Sequence, residues 1–310
     1  MTRPLRDRHN TTACARAGSK SVNRFAARPR VSFPLALFPL VLGLIEYKKY
    51  QWEVIGDFKI VAYLMGLQGG YTKFPCFKCF WNSRADELHY TQKIWEPRVK
   101  FLIGKMNVIN DPLVEPKKII MPPLHIKIGL LKQFVKALDC SSDAYMHLCE
   151  LFPKLSPAKV KAGIFVGPQI KKLMADPEFS KTLTPKERAA WESFISVVQG
   201  FLGNDRADDY AERVENLVRC FGNMGCRMSF KLHVLNAHLD DFKENLGKYS
   251  EEQGERFHQD IRAFEERYQR QGQYTESMMG EYIWSLVRDT DLDHRRKSRK
   301  TYHFQSLGSV

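Results

Sequence analysis

Apolar positions recur at helical spacing over most of the chain. Residues 58–67 carry them every three or four positions, and 124–139 form a strongly amphipathic segment that Pro122 and Pro123 open. Such spacing places apolar side chains on one face of a helix, and proline is favoured in a first turn. Further helices are predicted near residues 143–153, 156–165, 184–202, 207–222 and 275–288. The pattern therefore predicts a mainly helical fold.

One short segment interrupts this helical pattern. Residues 52–57, Trp-Glu-Val-Ile-Gly-Asp, are predicted to form a short buried strand that ends in the carboxylate of Asp57. A carboxylate at the C-terminal end of a strand projects into the crevice where open sheets bind their ligands. Alternatively, Asp57 is the N-cap of the helix that follows. Both interpretations stay open at this point.

Composition restricts the classes of protein. With 310 residues and 44% hydrophobic content, the chain can bury a sizeable core. A net charge of +13 and a pI near 9.4 favour an anionic partner, with nucleic acid first. Seven cysteines with one close pair indicate a reducing compartment and one metal site rather than a disulfide framework. Four lone cysteines are predicted to be core residues: Cys140, Cys149, Cys220 and Cys226.

The two ends of the chain differ from its middle. The first thirty residues hold seven arginines, one lysine and a single acid, Asp7. A mitochondrial transit peptide has this composition, but a disordered leader over 1–45 is the favoured interpretation. The basic cluster at 294–300 is typical of a nuclear-localisation or phosphate-contacting tail, or of a solvated end. A nuclear location is predicted.

Four residues form a candidate metal-binding set. Cys76 and Cys79 make a Cys-x-x-Cys turn, and His233 and His238 lie five positions apart. On an unbroken helix these histidines would point about 140° apart, so they can share one metal ion only where the helix breaks. Two thiolates and two imidazoles form the usual closed structural zinc site. The alternative is that His233 packs in the core and His238 is solvated.

An acidic run follows Ser250. Capping of a helix that begins there accounts for Glu251 and Glu252, whereas Glu255 lies one turn further in.

His125 falls in the first turn of the helix predicted over 124–139. It can contact phosphate, act as a spare metal ligand or face solvent, and solvent is the favoured interpretation.

The order of these features resembles the zinc-containing RNase H-like core of Transib transposases and the V(D)J recombinase. That order is Asp57, Cys-x-x-Cys, a long helical insert, His-x4-His and Ser-Glu-Glu-x-x-Glu. The segments GDFKIVAYLMGLQGGYTKFPCFKCFWNSRAD, PPLHIKIGLLKQFVKALD, KAGIFVGPQI and SEEQGERFHQDI are also similar to transposon-derived proteins of arthropods. The resemblance covers about residues 47–288.

The resemblance implies a mainly α (α+β) fold, the remnant of an RNase H-like domain with a large all-helical insertion. The implied segments after the leader are an RNase H-like strand, helix and knuckle (46–83), the helical insertion (84–228), the zinc histidines with the catalytic helix (229–292) and a basic tail (293–310).

The implied chemistry is DNA cleavage and strand transfer by two Mg²⁺ or Mn²⁺ ions held by carboxylates. Asp57 would be the second acid and Glu255 the third, with Glu252 as a substitute. Cys76, Cys79, His233 and His238 would hold a structural Zn²⁺ ion. DNA is the implied partner and a homodimer is possible, with no small-molecule substrate and no membrane.

The chain departs from the family pattern in one respect. The family's first acid lies on opening strands, and residues 1–45 contain no such hairpin; Asp7, in the basic leader, does not replace it. A truncated, transposase-derived protein without catalytic activity is therefore expected. The alternative is a non-catalytic DNA-binding or structural zinc protein.

Overall fold

The computed structural model describes residues 53–251 continuously, and individual helical residues within 261–268 and 278–285. These belong to a compact unit that spans 47–310, and a second unit, 1–46, lies outside the described residues. Glu252 and Glu255 also lie outside them, as do the basic leader and the basic tail.

The fold is mainly helical. The α-helices within residues 53–251 are α1 (Phe58–Leu64), α2 (Pro123–Ala137), α3 (Asp143–Leu151), α4 (Pro157–Lys161), α5 (Gly167–Met174), α6 (Pro177–Thr182), α7 (Pro185–Gly200), α8 (Tyr210–Met224) and α9 (Phe230–Ala237). The same part of the chain contains two short strands, β1 (Val54–Ile55) and β2 (Ile119–Ile120), and four 3-10 helices, at Asp86–Leu88, Pro116–Lys118, Leu239–Asp241 and Leu246–Tyr249. In the described part of the chain, no helix is long and apolar enough to span a bilayer.

Most predicted helices are confirmed, but the segment predicted over 156–165 is wrong in its length. Helix α4 ends at Lys161, because Gly163 turns the chain with a positive φ of 63°. The following helices α5 and α6 were not predicted. Each is short and has a proline in its first turn, so neither shows a long apolar repeat.

The two strands pair in parallel, with Val54 beside Ile119 and Ile55 beside Ile120. The predicted strand is therefore present but shorter than 52–57 within the described residues, and it is not buried, because Ile55 is 37% exposed. The C-terminal ends of parallel strands lie at one edge of the sheet. Asp57 follows β1 at that edge, and α2 begins there after β2.

Helix α2 is the centre of the core. It packs against α4, α5, α7 and α9, and Leu130, Leu131 and Phe134 are completely buried on it. The Phe134 ring packs against Trp191 of α7 at 5.4 Å between centroids. Helix α9 packs directly on α2; it carries His233, and His238 follows its last residue.

Candidate metal centre

The first half of the site is an irregular loop that contains Cys76 and Cys79. The backbone N–H of Lys78 donates to the Cys76 Sγ at 3.4 Å. The loop is paired with the segment at 96–98, since Phe80 N donates to Glu96 O and Arg98 N donates to Lys78 O, both at 2.8 Å. The backbone pairing with residues 96–98 and the bond from Lys78 N–H to the Cys76 Sγ together hold the two thiols in place.

Arg98 supports this loop from inside the protein. Its side chain donates to the carbonyl oxygens of Cys76, Met106 and Phe74 at 2.9, 3.1 and 3.1 Å. The residue is only 5% exposed, and burial lowers the pKa of its guanidinium. This role has no signal in the sequence, because an arginine that binds backbone carbonyls has no motif of its own.

The second half of the site is the end of α9. Ser229 caps this helix by accepting from Leu232 N at 3.3 Å, and His233 lies within it. The helix ends at Ala237, so His238 leaves the helical path with φ −129° and ψ 37°. The break removes the separation of about 140° that a continuous helix would impose, and both imidazoles face the cysteine loop.

The four predicted ligands come together across the chain. Cys76 Sγ lies 3.4 Å from His238 Nε2, and Cys79 Sγ lies 3.3 Å from His233 Nε2. All four candidate ligand atoms lie within 4.8 Å of one another, the only such group of three or more His, Cys, Asp or Glu side chains among the described residues. A tetrahedral zinc ion with Zn–S of about 2.3 Å and Zn–N of about 2.05 Å gives S···N separations of roughly 3.5 Å. The group can therefore hold a metal ion, and its donors are compatible with zinc.

The electrostatics of the group favour a bound cation. Burial opposes ionisation of Cys76, but hydrogen bonds from Cys79, His233 and His238 outweigh it and hold the pKa of that thiol well below its usual range. The Cys76 thiolate, together with burial, raises the pKa of Cys79. Burial lowers the pKa of His233 and favours the neutral imidazole that binds metals. A second thiolate this close to the first requires a cation between them.

Aromatic and charged neighbours orient the histidines. The Trp81 ring stacks on His233 with centroids 4.5 Å apart and planes inclined by 7°. Asp241 lies 3.8 Å from His238 Nδ1 and forms an ion pair of 2.9 Å with Lys78. Such outer contacts fix the rings of metal-binding histidines. Trp81 follows Cys79 by two residues, which was a usable signal in the sequence.

Asp57 has the geometry of a helix cap. Its Oδ1 accepts from the backbone N–H groups of Lys59 and Ile60, both at 2.8 Å, and α1 begins at the next residue. The capping interpretation is therefore realised. The catalytic role given to Asp57 stays a prediction, as does that of Glu255 and Glu252, which lie outside the described residues.

His125 does not face solvent, so that prediction is wrong. Its Nδ1 lies 2.9 Å from Oε1 of Glu251, while Oε2 accepts from Leu124 N at 2.9 Å. The two side chains are 16% and 7% exposed. Glu251 thus caps the N-terminus of α2, and not a helix that begins after Ser250, as predicted from the sequence.

The prediction for the lone cysteines is half confirmed. Cys220 and Cys226 are buried, whereas Cys140 is exposed and Cys149 is partly exposed. Cys140 lies just beyond the C-terminal end of α2, where the chain turns at the surface. None of the four belongs to the metal-binding group.

Comparison with known families gives two partial matches. The model of a domain of unknown function (DUF8703) matches residues 34–114, and that of another (DUF8704) matches residues 123–203. No curated protein matches the chain. The first match contains Cys76 and Cys79, and both histidines lie beyond the second. Neither description states an activity, so the function is argued from the site.

Proposed function

We propose that this chain is a transposase-derived DNA-binding protein held together by a structural zinc ion and without nuclease activity of its own. The observation that carries the proposal is the convergence of Cys76 and Cys79 with His233 and His238, which lie more than 150 residues away in the sequence. That order of ligands matches the zinc-containing RNase H-like core described above.

The zinc is structural because protein atoms fill all four positions of the tetrahedron, and none is left for a water nucleophile. It links the cysteine loop to α9 and so connects the two ends of the helical segment between them. The parallel pair β1 and β2, with Asp57 and the start of α2 at one edge, supports an RNase H-like remnant. DNA as the partner rests on the net charge of +13, and nuclear location rests on the basic tail.

Loss of nuclease activity is proposed because the carboxylates of the implied mechanism must be free to bind Mg²⁺ or Mn²⁺, and Asp57 already serves as a helix cap. The acids that would hold these ions are Asp57 and Glu255 (or Glu252). The single described member of this set, Asp57, already accepts two backbone hydrogen bonds.

Two assays test the proposal. The zinc-loaded chain should bind duplex DNA with little sequence preference and with an affinity that falls steeply as salt rises. DNA binding that is absent or insensitive to salt would leave only a structural zinc protein, which is the alternative function. A homodimer would appear as a doubled mass in light scattering of the same sample.

Plasmid nicking in Mg²⁺ or Mn²⁺ tests the loss of catalysis, and we expect none. Asp57→Asn and Asp57→Ala form a matched pair, because asparagine keeps an N-cap acceptor while alanine removes it at about 1 kcal/mol. Nicking that Asp57→Asn abolishes without changing the unfolding midpoint would show an active metal site and contradict the proposal.

A further inference from the structure

Two segments of the helical core are free of acidic residues. Residues 123–137 and 151–175 together contain eight lysines and no Asp or Glu, although Asp and Glu make up 35 of the 310 residues. The first segment is α2, and the second contains α4, α5 and the turn between them. Lysines without neighbouring acids create a positive field that attracts anions.

The fold brings these two segments together. Helix α2 packs against both α4 and α5. At the α4–α5 turn, a Cβ added to Gly163 would lie 2.8 Å from the backbone oxygen of Lys132. Gly163 also has a φ of 63°, so glycine is required for this close approach. The turn therefore sits directly on α2 at Lys132, with Lys136 one helical turn further on.

We define the basic surface by its lysines: Lys132, Lys136, Lys154, Lys159, Lys161, Lys171 and Lys172. All except the partly exposed Lys132 are exposed. Within the described residues, no carboxylate forms an ion pair with Lys159 or Lys161, whereas Lys181 on the next helix pairs with Glu178 at 2.7 Å. The positive charges of Lys159 and Lys161 are therefore available to an external anion.

An apolar tip lies in the middle of the basic surface. Ile164 and Val166 are 50% and 49% exposed, whereas Phe165 between them is only 4% exposed. The Phe165 ring packs edge-on against Phe152 with centroids 5.4 Å apart, and this contact holds the turn in place. Two aliphatic side chains are thus presented to solvent on a fixed turn between lysines.

We propose that the basic surface is where the protein contacts duplex DNA, with the lysines on the phosphates and the tip of Ile164 and Val166 directed at a groove. This inference rests on the proposed DNA-binding function and assigns that function to the basic surface. Lysine contacts with phosphates release counterions, and apolar side chains inserted at a groove contact bases without sequence specificity. Both features match binding with little sequence preference.

The test compares two charge-matched variants by fluorescence anisotropy on one duplex over a range of salt concentrations. Lys159→Gln with Lys161→Gln removes two charges from the basic surface. Lys100→Gln with Lys105→Gln removes two exposed charges from a different segment. Unfolding midpoints and zinc content should be equal in both, since all four side chains are exposed.

We expect the first variant to lose about tenfold or more in affinity and to lower the salt slope by about 0.9 per lysine. The control should stay within about twofold of the original chain. Ile164→Ser with Val166→Ser should weaken binding without changing the slope, because apolar contacts release no counterions.

The outcomes separate this inference from the function on which it rests. If the original chain binds DNA and the Lys159/Lys161 variant binds equally well, the surface is wrong and the function stands. If the original chain does not bind DNA, both are wrong. Binding to vesicles of anionic phospholipid through the same lysines, in place of DNA, would also overturn the inference.

Discussion

The imidazole of His233 lies flat on the indole of Trp81, with centroids 4.5 Å apart and planes inclined by 7°. Trp81 is 2% exposed and also contacts His89 at 5.0 Å between ring centroids. A single aromatic side chain therefore fixes the orientation of one proposed zinc ligand and closes the apolar side of the site.

Replacing Trp81 by alanine should destabilise the fold and weaken zinc binding together. The truncation leaves a cavity that costs about 3–5 kcal/mol, and an unsupported ligand loses about 10- to 100-fold in metal affinity. Denaturant unfolding and competition with a chromogenic chelator measure the two effects. Tyr71→Ala, at a fully exposed aromatic, is the control, and unchanged zinc affinity in Trp81→Ala would refute a positioning role.

Arg98→Lys should destabilise the cysteine loop although the charge is kept. Lysine is a point charge and does not reproduce the fork that reaches the carbonyls of Cys76, Met106 and Phe74. Loss of these buried hydrogen bonds should cost about 2–3 kcal/mol in the free energy of unfolding. The matched change at exposed Arg84, Arg84→Lys, should stay within about 0.5 kcal/mol. Equal midpoints for the two variants would contradict this account of Arg98.

Glu251→Ala should destabilise α2. The change removes the acceptor of Leu124 N–H and the carboxylate beside His125, at a cost of about 1–3 kcal/mol for a buried hydrogen-bonding pair. Glu251→Gln should recover part of the loss, because its amide oxygen can still accept from Leu124 N. Urea midpoints check both variants, with exposed Glu192→Ala as the control. The capping role is wrong if Glu251→Ala unfolds with the same midpoint as that control.

The pair His147–Asp176 should give a pH-dependent contribution to stability. A hydrogen bond of 2.7 Å from His147 Nε2 holds the pKa of Asp176 below its usual value. Because this folded-state pKa is depressed, the contribution is present above the ordinary pKa of about 3.9 and is lost as the pH falls through the lowered value. His147→Gln should therefore be less stable by about 1 kcal/mol at pH 5 and by less at about pH 3, which is closer to the lowered pKa of Asp176. An equal difference in urea midpoint at both pH values would argue against the pair.

The ligand types could be predicted from the sequence, but their geometry could not. Cys-x-x-Cys is a local signal, and it supplies the two further ligands that His233 and His238 need for a zinc site. Helix α9 ends at Ala237, and His238 turns towards the cysteine loop. No glycine or proline in the sequence there predicts this helix end, so it depends on tertiary packing.

The polar contacts between residues far apart in the chain could not be predicted from the sequence. From the sequence, Glu251 could cap either the helix predicted after Ser250 or helix α2. The packing of residues 246–249 against α2 brings Glu251 to the N-terminus of α2. A buried arginine such as Arg98 looks the same in sequence as the many exposed cations of a basic chain. Helices α5 and α6 have a proline in the first turn and are only eight and six residues long, so neither shows a long apolar repeat.

Zinc content with X-ray absorption at the zinc edge tests the central claim most directly. The account predicts one zinc per chain with two sulfur ligands at about 2.3 Å and two nitrogen ligands at about 2.0–2.1 Å, lost in Cys76→Ser and kept in Cys140→Ser. A purified chain that contains no zinc and still unfolds cooperatively would contradict it.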